Sequence, residues 1–382
     1  MTSSTDVEAR IRVALATVID PEIRRPITEL DMVGGIAVTE GGAAHVGIKL
    51  TIVDCPAADT IERDVRAAVA AVAGVTATEV DVTIMTREER AALTERLRGG
   101  RVKTMQFGPD SLTRIYAITS GKGGVGKSTI TANLAVALAS KGLSVGLVDA
   151  DVFGFSIPAL LGIEGQRPTQ IDGMILPPIA HGVKVISIGM FLPERVDGQG
   201  SAAVSWRGPM LHRTLLQFLT DVWFGDIDVL LLDLPPGTGD IAISIGQLLP
   251  RAEVIVVTTP QPAAAEVAER SGAVARQTGQ TVLGVIENMA GLPQPDGSVL
   301  HLFGSGGGAA VAARLSEGQD VPVPVLASVP LSIALREGGD AGRPIVLATP
   351  ADPASIAILA VADSLAARGR GLAGRKLGLS VR

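Results

Sequence analysis

Apolar residues follow two different periods along this chain, and the change from one to the other falls near residue 112. In "HVGIKLTIV" the apolar Val46, Ile48, Leu50 and Ile52 alternate with period two, which predicts a half-buried strand. The preceding "GGIAVTEGG" predicts a hairpin with Gly41-Gly42 at its tip. Thr5 followed by Glu8 predicts a capping box, opening a helix that runs to "IDPE", where Pro21 stops it. A helix over about 58–73 and a strand in "EVDVTIM" complete a small α+β domain, residues 1–88. The charged helical run "TREERAALTERLRGGRVK" and the breaker "FGPDS" place a linker at 89–112.

Beyond it, short runs that are apolar on both faces alternate with helix-length segments: "RIYAIT", "SVGLVD", "VKVISIG", "DVLLLD", "EVIVVTT", "TVLGVIE" and "VPVLAS". Such runs predict buried parallel strands joined by helical crossovers, hence an α/β doubly wound, mostly parallel sheet over 113–365. The last stretch, "AARGRGLAGRKLGLSVR", has five basic residues and no acid. Its glycines break helical continuity, so residues 366–382 read as a basic, solvated tail in preference to an amphipathic membrane anchor.

Composition narrows this picture in three ways. At 382 residues the chain is long enough for two domains. A net charge of -6 argues against bulk attraction to nucleic acid or anionic membrane. "MTSSTDVEARIRV" lacks a signal-peptide layout, and there is no apolar run of the roughly 18 residues a membrane span needs, so a cytoplasmic protein without membrane or nucleic-acid partners is expected. There is one cysteine, Cys55, which excludes an internal disulfide and any Cys-x-x-Cys metal site within one chain.

The chemistry concentrates in "SGKGGVGKST", which sits between the strand "RIYAIT" and the helical "TANLAVALASKG". That is the strand, loop, helix context of a phosphate-binding loop. Gly121, Gly123, Gly124 and Gly126 let successive backbone N–H groups turn inward, and Val125 and Thr129 are further expected ATP-binding positions. The helix N-terminus adds about half a positive charge. Lys127 faces the β and γ phosphates of ATP, and Ser128 reaches Mg2+. Carboxylates at the ends of neighbouring strands are expected beside it. Asp233, closing "DVLLLD", suits the metal side, and Asp151, two residues past Asp149, suits orientation and deprotonation of the attacking water. Lys122 is a second lysine that a single loop does not need. Taken alone, it reads as a surface charge.

"GKGGVGKST" resembles the deviant phosphate loop of the P-loop NTPases that include MinD, ParA, the nitrogenase iron protein and the arsenite pump ATPase. In that family the extra lysine reaches across a homodimer, so the resemblance implies that Lys122 acts in trans and is catalytic together with Lys127 and Asp151. "DADVFGFSIP", "SWRGPM", "DLPPGTGD", "TTPQ", "ENM" and "LFGSGGG" resemble, over roughly 112–350, the Mrp/ApbC group of ATP-binding iron–sulfur cluster carriers. "IDPE", "ITELDMV" and "LTIVDCPAADTIERDV" resemble the small iron–sulfur assembly domain often fused ahead of them.

The resemblance implies an Mg-dependent ATPase that works as a switch, a 4Fe–4S cluster shared across a dimer, and apoprotein clients or assembly proteins as partners. It implies an adenine contact for Asn288, a γ-phosphate switch at Thr238 and Gly239, and dimer-face positions for Trp206 and Arg207, although an arginine packed on Trp206 suits the sequence equally well. One departure stands out. The family's Cys-x-x-Cys after "NM" is here Leu292-Pro293-Gln294-Pro295. Cys55, ahead of a helix start that lowers a thiol pKa, is then the remaining candidate ligand or reactive thiol, with a buried apolar role as the alternative. His301 is a weaker candidate. An ATP-gated adaptor and a MinD/ParA-like spatial organiser are the rival functions.

Overall fold

A computed structural model describes residues 4–53, 55–99, 105–108, 110–152, 154–192 and 208–369. The chain forms two compact units, one of residues 1–104 with 168–177, the other of 105–167 with 178–382.

The first unit opens with α1 (Ser4–Leu15), followed by β1 (Val33–Val38), β2 (Ala43–Leu50), α2 (Ala58–Ala70), β3 (Ala77–Ile84) and α3 (Arg87–Arg98). The three strands lie in the order β1-β2-β3, with β1 antiparallel and β3 parallel to β2. Alternation in β2 buries Ala44, Val46, Ile48 and Leu50 on one face. The first two helices bury residues spaced by four, Val7, Ile11 and Leu15 from α1 and Ile61, Val65 and Val69 from α2. A four-residue spacing keeps side chains on one helical face, so each helix presents a single apolar stripe.

Several expected boundaries move. Thr5 lies inside α1 and does not cap it: the helix already includes Ser4, whose hydroxyl donates to Glu8 Oε1 at 3.3 Å. The helix ends at Leu15, well before Pro21, because Thr17 Oγ1 donates back to the Ala14 carbonyl and Ile19 leaves to bridge Pro26. The start of the expected linker is regular structure, α3. Thr86 caps it with a complete capping box, Oγ1 accepting from Glu89 N at 3.2 Å and Glu89 Oε2 accepting from Thr86 N at 2.8 Å. Glu89 also pairs with Lys49 Nζ at 2.5 Å, and Arg96 donates to the Glu29 carbonyl at 2.8 Å, so α3 is tied to its own unit at both ends.

The second unit carries β4 (Arg114–Ser120), α4 (Lys127–Ser140), β5 (Val145–Asp149) and α5 (Ile157–Leu160). The chain then leaves to form the hairpin β6 (Thr169–Ile171) and β7 (Met174–Leu176), which belongs to the first unit, with Thr169, Ile171, Met174 and Leu176 buried. It returns as β8 (Ile179–Ala180), β9 (Val183–Ser187), α6 (Gly208–Asp221), β10 (Val229–Asp233), α7 (Asp240–Leu248), β11 (Glu253–Thr258), α8 (Pro262–Gln277) and β12 (Thr281–Asn288). The rest is β13 (Leu292–Pro293), β14 (Val299–Leu300), α9 (Gly307–Ser316), β15 (Val325–Val329), α10 (Ile333–Asp340), α11 (Ile345–Ala348) and α12 (Pro353–Ala367).

The main sheet runs β15-β12-β11-β4-β10-β5-β9-β8 and is parallel except for the edge pair β8 and β9, the doubly wound arrangement expected. β15 departs from the two-sided burial expected of "VPVLAS": at the sheet edge, Val325 is 38 % exposed. Every residue of α4 from Ile130 to Leu138 is buried, which fixes the helix that carries the phosphate loop. The tail begins later than expected, since α12 is helical to Ala367 and Arg114 donates to the carbonyls of Arg368 and Gly369 at 3.0 and 2.6 Å. Among the described residues no helix is long and apolar enough to cross a membrane.

The capping box makes a stability prediction for the first unit. Thr86→Ala removes one end of it and lowers that unit's unfolding free energy by about 1 kcal/mol, read from urea unfolding, while the second unit's transition stays in place.

Candidate functional site

The chain turns out of β4 into a loop of residues 121–126 and directly into α4, so the loop's backbone N–H groups and the helix N-terminus face the same space. Two glycines are required by close approach. A Cβ on Gly121 would stand 2.3 Å from the Val267 carbonyl carbon of α8, and one on Gly126, at φ 79°, would stand 2.3 Å from Asn288 Nδ2. Asn288 Nδ2 donates to the Val125 carbonyl at 2.8 Å, and the residue is 4 % exposed. The structure thus places Asn288 as a brace behind the loop. In front of the loop lies a cavity of about 720 Å³, bounded also by Asp151, Pro235, Pro236, Gly239 and Asp240. That is an ordinary size for a small-molecule site.

At the end of the loop, three predicted residues meet. Lys127 Nζ lies 2.7 Å from Asp233 Oδ2, and Ser128 Oγ donates to the same oxygen at 2.6 Å. Thr131, one turn further along α4, donates to Asp233 Oδ1 at 2.8 Å. Thr131 was not singled out from sequence, yet its place one turn after Lys127 was the available signal. Asp233 is wholly buried and Lys127 is 6 % exposed, so their charges are compensated chiefly by each other. Ser128 Oγ and the Asp233 carboxylate are hard oxygen donors of the kind Mg2+ takes, with phosphates and waters completing its shell. Among the described residues there is no group of three His, Cys, Asp or Glu able to hold a metal.

Asp149 and Asp233 are register partners on adjacent strands. Asp149 is wholly buried, and burial together with the neighbouring Asp233 charge pushes its carboxyl up to about 7. Ser187 Oγ donates to its Oδ2 at 3.0 Å, and the N–H of Asp151 to its Oδ1 at 3.2 Å. Asp151 lines the cavity, its Oδ1 accepting from Gly154 N at 3.0 Å.

Lys122 lines the cavity as well, and its Nζ donates to Gln261 Oε1 of its own chain at 2.9 Å. Gly239 is the N-cap of α7 and a cavity wall, and Thr238 beside it is half-buried. Trp206 and Arg207 lie outside the described residues.

The segment Leu292–Pro295 enters a hairpin, β13 paired with β14, with His301 exposed just beyond it. Cys55 lies in the first unit and corrects the expectation of an activated thiol. It is 6 % exposed, its S–H donates to Glu22 Oε2 at 3.9 Å, and burial followed by the charges of Glu22 and Asp20 pushes it up to about 11. The backbone N–H at the start of α2 acts in the lowering direction and is outweighed. Glu22 also accepts from Thr169 Oγ1 at 2.6 Å, and both Glu22 and the buried Asp20 are themselves raised by burial. A four-iron cluster takes four thiolates, so one cysteine per chain does not fit a cluster held by a single chain.

Residues 111–366 match the model of the NUBPL iron-transfer P-loop NTPase family, and residues 8–82 match the iron–sulfur cluster assembly protein model. The chain is 55 % identical over 380 residues to an iron–sulfur cluster carrier protein of Mycobacterium bovis, covering 99 % of this chain and 98 % of that one. It is 40 % identical to the protein of the same name from Synechocystis, over 93 % and 95 % of the two chains. A nucleotide-binding protein from Archaeoglobus fulgidus, solved in complex with ADP, superposes with a TM-score of 0.51 at 36 % identity, covering 60 % of this chain and 86 % of that one. A full-length match to named carriers, together with a phosphate loop whose lysine and serine converge on a buried strand-end aspartate, places this chain in the iron–sulfur cluster carrier family of P-loop NTPases.

Proposed function

We propose that this protein is an Mg-dependent ATPase that carries iron–sulfur clusters to apoproteins, with hydrolysis switching a homodimer between states. The observation that carries the reading is the convergence of Lys127 and Ser128, which line the loop-bounded cavity, on the buried Asp233.

In this proposal the loop N–H groups and the α4 N-terminus bind the β and γ phosphates. Lys127, now paired with Asp233, turns its charge to the phosphates, while Ser128 and Asp233 hold the metal side. Magnesium, when bound, offsets the charge that develops on the phosphate oxygens. Asp151 orients the attacking water. Gly239 and Thr238, at the start of α7, sense the γ phosphate. Lys122 acts across the dimer, and its release from Gln261 gives up one hydrogen bond, about 0.5–1.5 kcal/mol.

The buried, high-pKa Cys55 and the hairpin where the relatives' cysteines are expected favour a second reading, an ATP-gated adaptor that docks clients without holding a cluster itself. Anaerobic reconstitution with iron and sulfide, beside Cys55→Ala, separates the two. Visible absorbance and iron per dimer that vanish in the variant support carriage through Cys55, and no iron in either protein supports the adaptor.

Three further outcomes are expected. Asp233→Asn lowers ATP turnover by at least about 100-fold and abolishes its response to magnesium, measured as phosphate release across a metal titration. Lys122→Ala keeps ATP affinity within about twofold but loses ~10³-fold or more in turnover, and unchanged turnover removes the trans role. Because thiolate is the reacting form, Cys55 in the folded protein alkylates more than ~100-fold slower than a free thiol at pH 7.5, and its rate climbs with each pH unit up to about pH 10 without a plateau. As this is the only cysteine, mass spectrometry of the intact chain reads it directly.

A further inference from the structure

Among the described residues, Asp149 is the wholly buried carboxylate at this sheet edge to which the proposed chemistry gives no task, and the loop that follows it hangs on its two oxygens. Oδ1 accepts the Asp151 N–H at 3.2 Å, and Oδ2 accepts the Ile157 N–H at 3.4 Å and the Ser187 hydroxyl at 3.0 Å. The two N–H groups stand at opposite ends of residues 151–156. One side chain therefore closes both ends of the loop that presents Asp151 to the cavity, and Ser187, its register partner on β9, holds that side chain in place.

We infer that Asp149 is a positioning residue for hydrolysis, fixing the Asp151 carboxylate against the cavity by tying the loop at Asp151 and Ile157. The inference rests on the reading of Asp151 as the group that orients the attacking water.

The physical case is one of cost. A strand end can be tied by a neutral Ser or Asn. Burying a carboxylate beside a second buried carboxylate, Asp233, is unfavourable unless its lone pairs are filled by well-placed donors. Lys127 pairs directly with Asp233, and among the described residues Asp149 accepts from three donors, two of which are the ends of the loop. A carboxylate accepts at both ends simultaneously. An asparagine presents an amide N–H₂ to one of them and loosens it. Since a displacement of about 1 Å in a catalytic group costs up to ~100-fold in rate, a loosened loop affects turnover before it affects binding.

The test is a double-mutant cycle on the full chain, with ATP hydrolysis and nucleotide binding both measured. Asp149→Asn is expected to lower kcat by about 10-fold or more with the ATP dissociation constant within about twofold, and Ser187→Ala to lower kcat by about threefold in the same way. In an Asp151→Asn background, adding Asp149→Asn is expected to change the residual rate by less than about twofold, because Asp149 acts through Asp151. Equal losses in both backgrounds, or a loss confined to affinity, overturn the inference and leave Asp149 a structural residue. If Asp149→Asn does not fold, the same cycle with Ser187→Ala decides. If Asp151→Asn alone keeps full turnover, the reading of Asp151 fails first and this inference falls with it.

Discussion

The second unit is organised around a buried ion pair, Lys127 with Asp233, at 2.7 Å. Such a pair is tolerated only when its geometry is good and the remaining lone pairs and protons are satisfied. Ser128 and Thr131 supply the additional donors to Asp233, both from the first turns of α4. This demand explains the construction around it. α4 must be held without play, which its continuous burial from Ile130 to Leu138 accomplishes, and β10 must stand beside β4, so that Asp233 ends in register with Ile118, just before the loop. The glycines let the chain make the turn between the two without a side chain striking α8 or Asn288.

The same edge holds a second carboxylate under different terms. Asp149 is compensated by neutral donors, and its carboxyl sits near 7, whereas Asp233 meets a cation directly. Two chemically identical side chains on adjacent strands are thus given distinct environments by what lies above each strand end. That separation ties one to the lysine and serine that end the phosphate loop and the other to the backbone N–H groups of Asp151 and Ile157.

The thiol in the first unit follows comparable physics with the opposite result. Cys55 lies among Asp20, Glu22 and the hairpin residue Thr169, where burial and neighbouring negative charge disfavour a thiolate. The local pattern, a cysteine just before a helix, pointed to activation. Long-range packing reversed it, since α2 begins at Ala58 with no side-chain cap and its backbone contribution is smaller than the cost of burial. The hairpin 168–177 was also not legible: its strands are three residues each, too short for a periodic signal, and nothing in the local sequence says that it packs in the other unit. By contrast, α3 was readable: the charged run is helical as expected, and the Thr86-x-x-Glu89 capping box marks its start ahead of the linker boundary placed at residue 89.

What the sequence determined by itself is whatever depends on neighbours along the chain. Four glycines, a lysine and a serine between an apolar strand and a helix set the phosphate loop, since its N–H groups are consecutive. Alternating apolar runs set the parallel sheet. Tertiary structure alone decided the rest. Asp233 reaches Lys127 across 106 residues, Thr169 reaches Glu22 across 147, and Glu22 reaches Cys55 across 33. The charge state of a buried group is set by what is brought beside it and by the water it loses, and neither quantity is encoded in its neighbours along the chain.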